Sequence, residues 1–299
     1  MWLSEAAGAD VRLKLETEQP TSSYKVRGAF NAVLRVLEER KTAPPLVTAS
    51  AGNHGRALAW AAGAAGVPVT VYVPEHAPRT KLEAIRASGA TLRPCRNYDE
   101  AERSAKAHAA SGEALYVSPY NHADVIAGAG TIALEIHEEW PEVDAIVVPV
   151  GGGGLISGIA LASHGLSTGT AIIGAEVEAS SPFTRSLAAN RIVEIDVGQT
   201  LADGLAGNLD PDTMTFDIVR REVSRIVTIS EAELGAAIAG MVKHEKKVVE
   251  GAGAVGVAAV LAGKIGGQGG RVAIVISGAN IDQETLDAVL RTWALGSRL

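Results

Sequence analysis

The sequence predicts an α/β fold of two open α/β domains, and three observations carry that prediction. Short β-branched runs, apolar on both faces, recur along the 299 residues. Each run is followed by a stretch with helical apolar spacing, and strand and helix then alternate almost throughout. Strands covered on both faces by the helices that connect them form parallel sheets.

Taken in order, residues 46–49, 69–73, 145–150, 171–177 and 271–277 are short apolar runs rich in Val and Ile and are expected as buried strands. Between and after them, residues 54–65, 79–87, 98–110, 123–139, 155–162, 231–245 and 253–262 keep helical spacing. Two stretches suit domain crossings: the turn Lys41-Thr-Ala-Pro-Pro45, and residues 116–122 with Pro119 and Asn121. They predict a small α/β domain of residues 42–122 inserted into a larger one of residues 1–41 and 123–299. Open α/β sheets bind ligands at the carboxyl ends of their strands, so the loops there carry the functional reading.

Composition narrows the classes of function. The chain has 27 Lys and Arg against 34 Asp and Glu, a net charge of −7, and no basic run, so nothing attracts nucleic acid phosphates. A single cysteine, Cys95, excludes an internal disulfide and a thiolate metal centre within one chain and suits a reducing, cytoplasmic setting. Met1 to Asp10 has no basic stretch followed by an apolar one, and no segment has eighteen uninterrupted apolar residues. No targeting segment and no membrane partner are therefore expected. With 33 glycines but only 4% aromatic residues, the chain favours tight turns and close backbone approaches over an aromatic core.

Four loops can carry chemistry. Val150 leads into Gly151, Gly152, Gly153 and Gly154 before a helical stretch. Consecutive backbone N–H groups at a helix N-terminus, with no Cβ in the way, form a phosphate cradle. A tight turn would need only one glycine. Ser50, Ala51, Gly52, Asn53 and His54 follow a strand and open a helix, which suits a carboxylate on the backbone amides or a plain helix cap. Lys25 stands in Ser22-Ser23-Tyr24-Lys25-Val26-Arg27-Gly28-Ala29, between hydroxyl residues and an apolar stretch. Ser277-Gly278-Ala279-Asn280 follows the last strand, where a serine can donate one hydrogen bond to a ligand.

Other templates fail. Gly251-Ala-Gly253-Ala-Val-Gly256 fits G-x-G-x-x-G, but it lacks a preceding strand, and Arg271 stands where a dinucleotide site needs an acid. Ser22-x-x-Lys25 is not followed by S-D-N or K-T-G. Neither His137-Glu-Glu-Trp140 nor His244-Glu-Lys-Lys-Val248 completes H-E-x-x-H, and no G-x-S-x-G is present.

Together the four loops resemble, in order, those of the fold type II pyridoxal-5′-phosphate (PLP) enzymes, and within them the serine/threonine dehydratase (ammonia-lyase) group. Ser23 to Ala29 looks like that family's S-F-K-x-R-G-A motif, with Tyr24 for Phe; Ser50 to His54 like S-x-G-N-H; Gly151 to Gly154 like its tetraglycine loop; Ser277 to Asn280 like S-G-x-N. The resemblance implies a tryptophan-synthase-β-like fold with the active site in the cleft between two domains. It implies that Lys25 forms the Schiff base with PLP and later removes the substrate α-proton. It assigns the cofactor phosphate to Gly151, Gly152, Gly153 and Gly154, the ring hydroxyl to Asn53, the pyridine nitrogen to Ser277, and a place near the ring to Glu250. The substrate carboxylate falls to Ser50, Ala51, Gly52, Asn53 and His54.

The implied reaction eliminates water from L-threonine or L-serine and releases a 2-oxo acid and ammonia. Serine racemase, a close relative, has a second serine where this chain has Ala51, so dehydration is expected over racemisation. Some relatives bind a divalent cation through a glutamate, which Glu176 matches, and an aspartate six positions on, where this chain has Pro182; no metal is expected. A homodimer is the family default. The chain starts close before its first motif and ends soon after Asp282, so a short N-terminus and no regulatory domain are expected. The rival readings are a dehydratase of another β-hydroxy amino acid, such as a hydroxyectoine-derived substrate or 3-hydroxyaspartate, a β-replacement enzyme, and a non-catalytic phosphate-binding regulator. Substrate side-chain contacts are expected near Pro119 to Asn121 and Asp203 to Gly207.

Overall fold

The local sequence explains where the elements start and which faces they bury. In a computed structural model that describes residues 2–40, 43–266 and 269–293, the chain runs α1 (Trp2–Ala7), β1 (Asp10–Leu15), α2 (Lys25–Glu39), β2 (Leu46–Ala49), α3 (Asn53–Ala64), β3 (Val69–Pro74), α4 (Arg79–Ala87), β4 (Thr91–Cys95), α5 (Tyr98–Ala110) and β5 (Leu115–Tyr116). It continues through α6 (Ala123–Glu139), β6 (Ala145–Pro149), α7 (Gly154–Gly165), β7 (Ala171–Val177), α8 (Pro182–Ala188), α9 (Met214–Glu222), β8 (Arg225–Ile229), α10 (Glu231–Gly240), α11 (Gly251–Leu261), β9 (Arg271–Ile276) and α12 (Gln283–Trp293). Asn97 caps α5 by accepting from the Glu100 amide, and Ser230 with Glu233 forms a reciprocal capping box on α10. α2 buries Val26, Ala29, Ala32 and Val33 along one stripe and turns Arg35, Glu38 and Glu39 to solvent as short-range ion pairs.

The described chain divides into two compact units: residues 19–129, and residues up to 18 together with those from 130 on. The smaller unit holds a parallel sheet in the order β4-β3-β2-β5. The larger holds a parallel sheet in the order β1-β9-β6-β7-β8. The alternation of strand and helix therefore resolves as expected into two open α/β sheets. The borders differ from those the proline-bearing stretches suggest. Residues 19–40 and the start of α6 belong to the smaller unit, because Val26, Ala29, Ala32, Val33 and Val125 share one apolar cluster with Leu46, Leu58 and Val71. Lys41 and Thr42, at the expected first crossing, lie outside the described residues.

In the larger unit, Val147, Ile173 and Ile274 from three strands meet Val255, Val257 and Ala258 of α11 in a separate core. Residues 251–260 are all buried, so α11 is apolar on every side, as a helix packed in the middle of a unit must be. Strands β1, β4, β5 and β8 are not among the expected strands, and each is a sheet edge that pairs on one side only. The 231–245 helix closes early: α10 ends at Gly240 and a π-helical turn, Met241–Glu245, follows. Among the described residues, no helix is long and apolar enough to cross a membrane.

Candidate active site

In both sheets the strand order reverses beside the motifs singled out in the sequence. In the smaller unit the chain moves outward from β2 through β3 to β4, then returns to β5 on the other side of β2. The loops after β2 and β5 therefore flank a topological switch point, where open sheets take their ligands. The loop after β2 is Ser50 to Gly52, leading directly into Asn53 and His54 at the start of α3. Ser50 N donates to Tyr72 O, and Ser50 Oγ accepts from Gly52 N at 3.2 Å, so the turn is fixed by its own serine.

The second loop carries the amine. Val117 N donates to Val47 O at 2.9 Å, and Val117 O accepts from Thr48 Oγ1 at 2.8 Å and from His54 Nε2 at 3.0 Å. Two residues on, Pro119 O accepts from Lys25 Nζ at 2.7 Å. Lys25 is the first residue of α2; its amide donates to the fully buried Ser23 Oγ at 3.2 Å, and its ammonium lies 5.1 Å from the Tyr24 ring centroid. The chain enters this helix through Ser22 at φ +55°, a left-handed conformation that is uncommon for a residue with a side chain. A cation at a helix N-terminus opposes the helix dipole, so Lys25 is not there to stabilise α2. That mismatch was a signal available in the sequence once the helix start was known.

His54 is buried at 2% exposure, and because its Nε2 donates to Val117 O, its Nδ1 is the bare nitrogen, with no hydrogen-bond partner. Burial, and then the Lys25 ammonium, push its pKa down to about 3, against the weaker pull of the Val117 carbonyl. The imidazole is therefore neutral and acts as a fixed donor under the β5 loop. His122, whose Nδ1 accepts from the Asp124 amide at the start of α6, is also held low by burial, partly offset by Asp124. Lys25 and the Ser50 to His54 loop are thus gathered at one end of the smaller sheet.

The larger unit repeats the logic. Its chain runs from β6 through β7 to β8 and returns to β9 on the other side of β6, so the loops after β6 and β9 flank its switch point. These are Gly151 to Gly154 and Ser277 to Asn280. Gly153 takes φ +84°, and a Cβ there would lie 2.5 Å from Phe183 Cζ, 2.9 Å from Phe183 Cε2 and 3.0 Å from Thr215 Cβ. A Cβ on Gly151 would lie 3.1 Å from Leu205 Cα, in the turn Asp203–Leu205. Side chains are thus excluded where the backbone leads into the N-terminus of α7, and Ser157 N donates to Gly153 O at 2.9 Å to start that helix. A loop built this way exposes amides and no side chains, which suits a phosphate.

Ser277 is 3% exposed at the end of β9. Glu250 is 5% exposed and tied twice to the neighbouring turn, its amide donating to Gly278 O and its carboxylate accepting from Asn280 N, both at 3.1 Å. The G-x-G-x-x-G match at 251–256 lies inside α11 and serves packing. A Cβ would meet Leu201 O at 2.0 Å from Gly251, Gly278 O at 2.6 Å from Gly253 and Ile274 Cγ2 at 2.7 Å from Gly256.

Glu176 has a structural task. Fully buried, it accepts from Phe183 N at 2.8 Å, Thr184 N at 2.9 Å and Thr184 Oγ1 at 2.6 Å, and so caps α8. Burial raises its pKa, while those three donors pull the other way. Sequence reasoning did not find this cap, nor Phe183 and Thr215 beneath the glycine loop. An acid six residues before Pro182-Phe-Thr was the available signal, since proline favours the first turn of a helix.

A parallel sheet that presents a side-chain-free glycine loop, in a chain whose second sheet carries a held primary amine, suits an enzyme built around a phosphate-bearing carbonyl cofactor. A family model for pyridoxal-phosphate dependent enzymes matches residues 2–278. The chain is 42% identical to an L-threonine ammonia-lyase of Thermotoga maritima, over 96% of this chain and 71% of that protein. It is 38% identical to an L-threo-3-hydroxyaspartate ammonia-lyase of Saccharomyces cerevisiae, over 94% of this chain and 86% of that one. The processed threonine deaminase isoform 2 of Solanum lycopersicum superposes with a TM-score of 0.92 at 30% identity, covering 99% of this chain and 82% of that one. The chain belongs to the pyridoxal-phosphate dependent enzyme family and is a PLP enzyme of the lyase type.

Proposed function

We propose that this enzyme removes water from a β-hydroxy-α-amino acid, with L-threonine and L-serine as its first substrates, and releases a 2-oxo acid and ammonia. The observation that carries the reading is the Lys25 amine, held on Pro119 O at the same switch point as the amide-bearing Ser50 to His54 loop. The activities of the relatives support it.

The residues fit PLP: a primary amine for its aldehyde carbon, and a glycine loop into which a Cβ at Gly153 would not fit. Lys25 would hold it covalently, Gly151 to Gly154 its phosphate, Asn53 its ring hydroxyl and Ser277 its pyridine nitrogen, with Glu250 beside the Ser277 turn. Bound there, PLP supplies the electron sink for the pair left behind when the substrate α-proton departs. The loop from Ser50 to His54 orients the substrate carboxylate through its amides and the N-terminus of α3. Lys25 Nζ takes the α-proton once it leaves Pro119 O and gives up its own. Ser277 would offer the ring nitrogen a hydroxyl and not a carboxylate, a pairing that would suit prompt loss of the β-hydroxyl. Ala51 has no proton to deliver to the opposite face, so elimination prevails over inversion.

A second substrate, 3-hydroxyaspartate, is favoured by the similarity to the yeast enzyme. A single, buried cysteine supports a cytoplasmic setting, and we assign a homodimer on the family default. The test is a panel of β-hydroxy amino acids assayed for 2-oxo acid release without added nucleophile. Threonine or serine turned over best supports the reading. Preference for 3-hydroxyaspartate moves the assignment to that substrate, and no 2-oxo acid from any of them removes the dehydratase reading.

A further inference from the structure

Helix α9 supplies none of the groups proposed to touch cofactor or substrate, yet its first turn is bonded to the glycine loop. Thr215, fully buried, donates from Oγ1 to Gly152 O at 2.8 Å. The same oxygen lies 2.8 Å from Thr213 Oγ1. A hydroxyl has one hydrogen, and Thr215 has spent its own on a carbonyl, so Thr213 is the donor in that contact. Thr213 Oγ1 in turn accepts from Thr215 N at 3.3 Å as the cap of α9. The result is a directed relay, Thr213 to Thr215 to the Gly152 carbonyl, with Thr213 only 5% exposed.

A trans peptide points its carbonyl and the next residue's N–H in opposite directions. Holding Gly152 O therefore fixes the direction of Gly153 N–H. In a run of four glycines that peptide has little restriction of its own, because glycine admits both signs of φ. Phe183 packs against Gly153 from a second direction. We propose that Thr215 is a positioning residue for the cofactor: by anchoring Gly152 O it turns Gly153 N–H toward the phosphate. This rests on the reading that Gly151 to Gly154 hold the phosphate of PLP, and it adds a residue outside the loop that makes the loop selective for one.

The full-length enzyme, stripped of PLP and retitrated, tests the inference without reference to turnover. PLP and the phosphate-free analogue pyridoxal are each titrated by the visible absorbance of the bound form, and the ratio of the two dissociation constants isolates the phosphate. In the parent enzyme PLP is expected to bind far more tightly than pyridoxal. Thr215→Val, which keeps the shape but orphans Gly152 O, reduces that preference about tenfold, the effect of one misdirected hydrogen bond. Pyridoxal affinity stays within about twofold, and Thr215→Ser restores the parent ratio. Thr213→Val, which removes the relay's donor but leaves Gly152 O bonded, gives a smaller loss and carries the test if Thr215→Val does not fold. An unchanged ratio in these variants overturns the role of Thr215 and leaves the glycine-loop reading standing. No preference for PLP over pyridoxal in the parent enzyme overturns the glycine-loop reading itself.

Discussion

Gly153→Ala puts the construction of the phosphate loop to its sharpest test. The new Cβ would sit 2.5 Å from Phe183 Cζ and 3.0 Å from Thr215 Cβ, whereas carbon atoms in contact settle at about 3.5–4.0 Å. The phenyl ring must therefore retreat by about 1 Å. Phe183 is fully buried and its amide is bonded to Glu176, so the ring has no free space and its backbone has little freedom. Overpacking of this kind costs about 1–3 kcal/mol, and a left-handed φ on a residue with a Cβ adds about 1–2 kcal/mol. The expected loss is roughly 2–5 kcal/mol, read as a lower urea midpoint by circular dichroism. A double-mutant cycle with Phe183→Leu, which removes the clashing ring atoms, separates the two parts. The coupling should recover about 1–2 kcal/mol and leave the backbone part. A Gly153→Ala variant within about 0.5 kcal/mol of the parent, or strict additivity with Phe183→Leu, refutes the reasoning.

Three further predictions follow from single contacts. His54 is neutral in the fold until about pH 3 but takes a proton near its ordinary 6.5 when unfolded, so stability falls as pH drops through that window. Between pH 8 and pH 5 the loss is about 2 kcal/mol, and His54→Gln, which keeps an N–H for Val117 O, flattens this limb of the stability profile; an unchanged slope contradicts it. Removing the cap on α8 with Glu176→Ala orphans two amides and a hydroxyl and destabilises by about 2–4 kcal/mol, with Glu176→Gln losing less; equal losses would show that the carboxylate is not the acceptor. Ala51→Ser places a hydroxyl on the Ser50 to His54 loop, and on L-serine it should yield measurable D-serine by chiral chromatography; none would separate Ala51 from the choice of reaction.

Much of this was legible in the sequence because the buried strands write themselves as apolar runs. Residues 46–49 and 171–177 match β2 and β7, and the Val147 and Ile274 stretches match β6 and β9 to within a residue or two. Two edge strands leave a weaker trace: Arg93 and Pro94 in β4 and Lys14 in β1 look like loop residues, because one side of each strand needs no partner. The borders between units were hidden because α2 belongs with α3 through its apolar stripe, a tertiary fact that no proline marks. At the site, the four loops announced themselves by residue type. The groups beneath them did not: Val117 O and Pro119 O are backbone atoms with no residue signature, and Thr215 reads as an ordinary residue after a cap until its hydroxyl is seen on Gly152 O.

The account stands on Lys25 as the residue that holds PLP, and borohydride reduction followed by peptide mass spectrometry measures this directly. The predicted result is a pyridoxyl phosphate adduct on the peptide containing Lys25 in the parent enzyme, and none in Lys25→Ala, which also loses 2-oxo acid release. An adduct on a different lysine, or a Lys25→Ala enzyme that keeps its adduct and its turnover, contradicts the account.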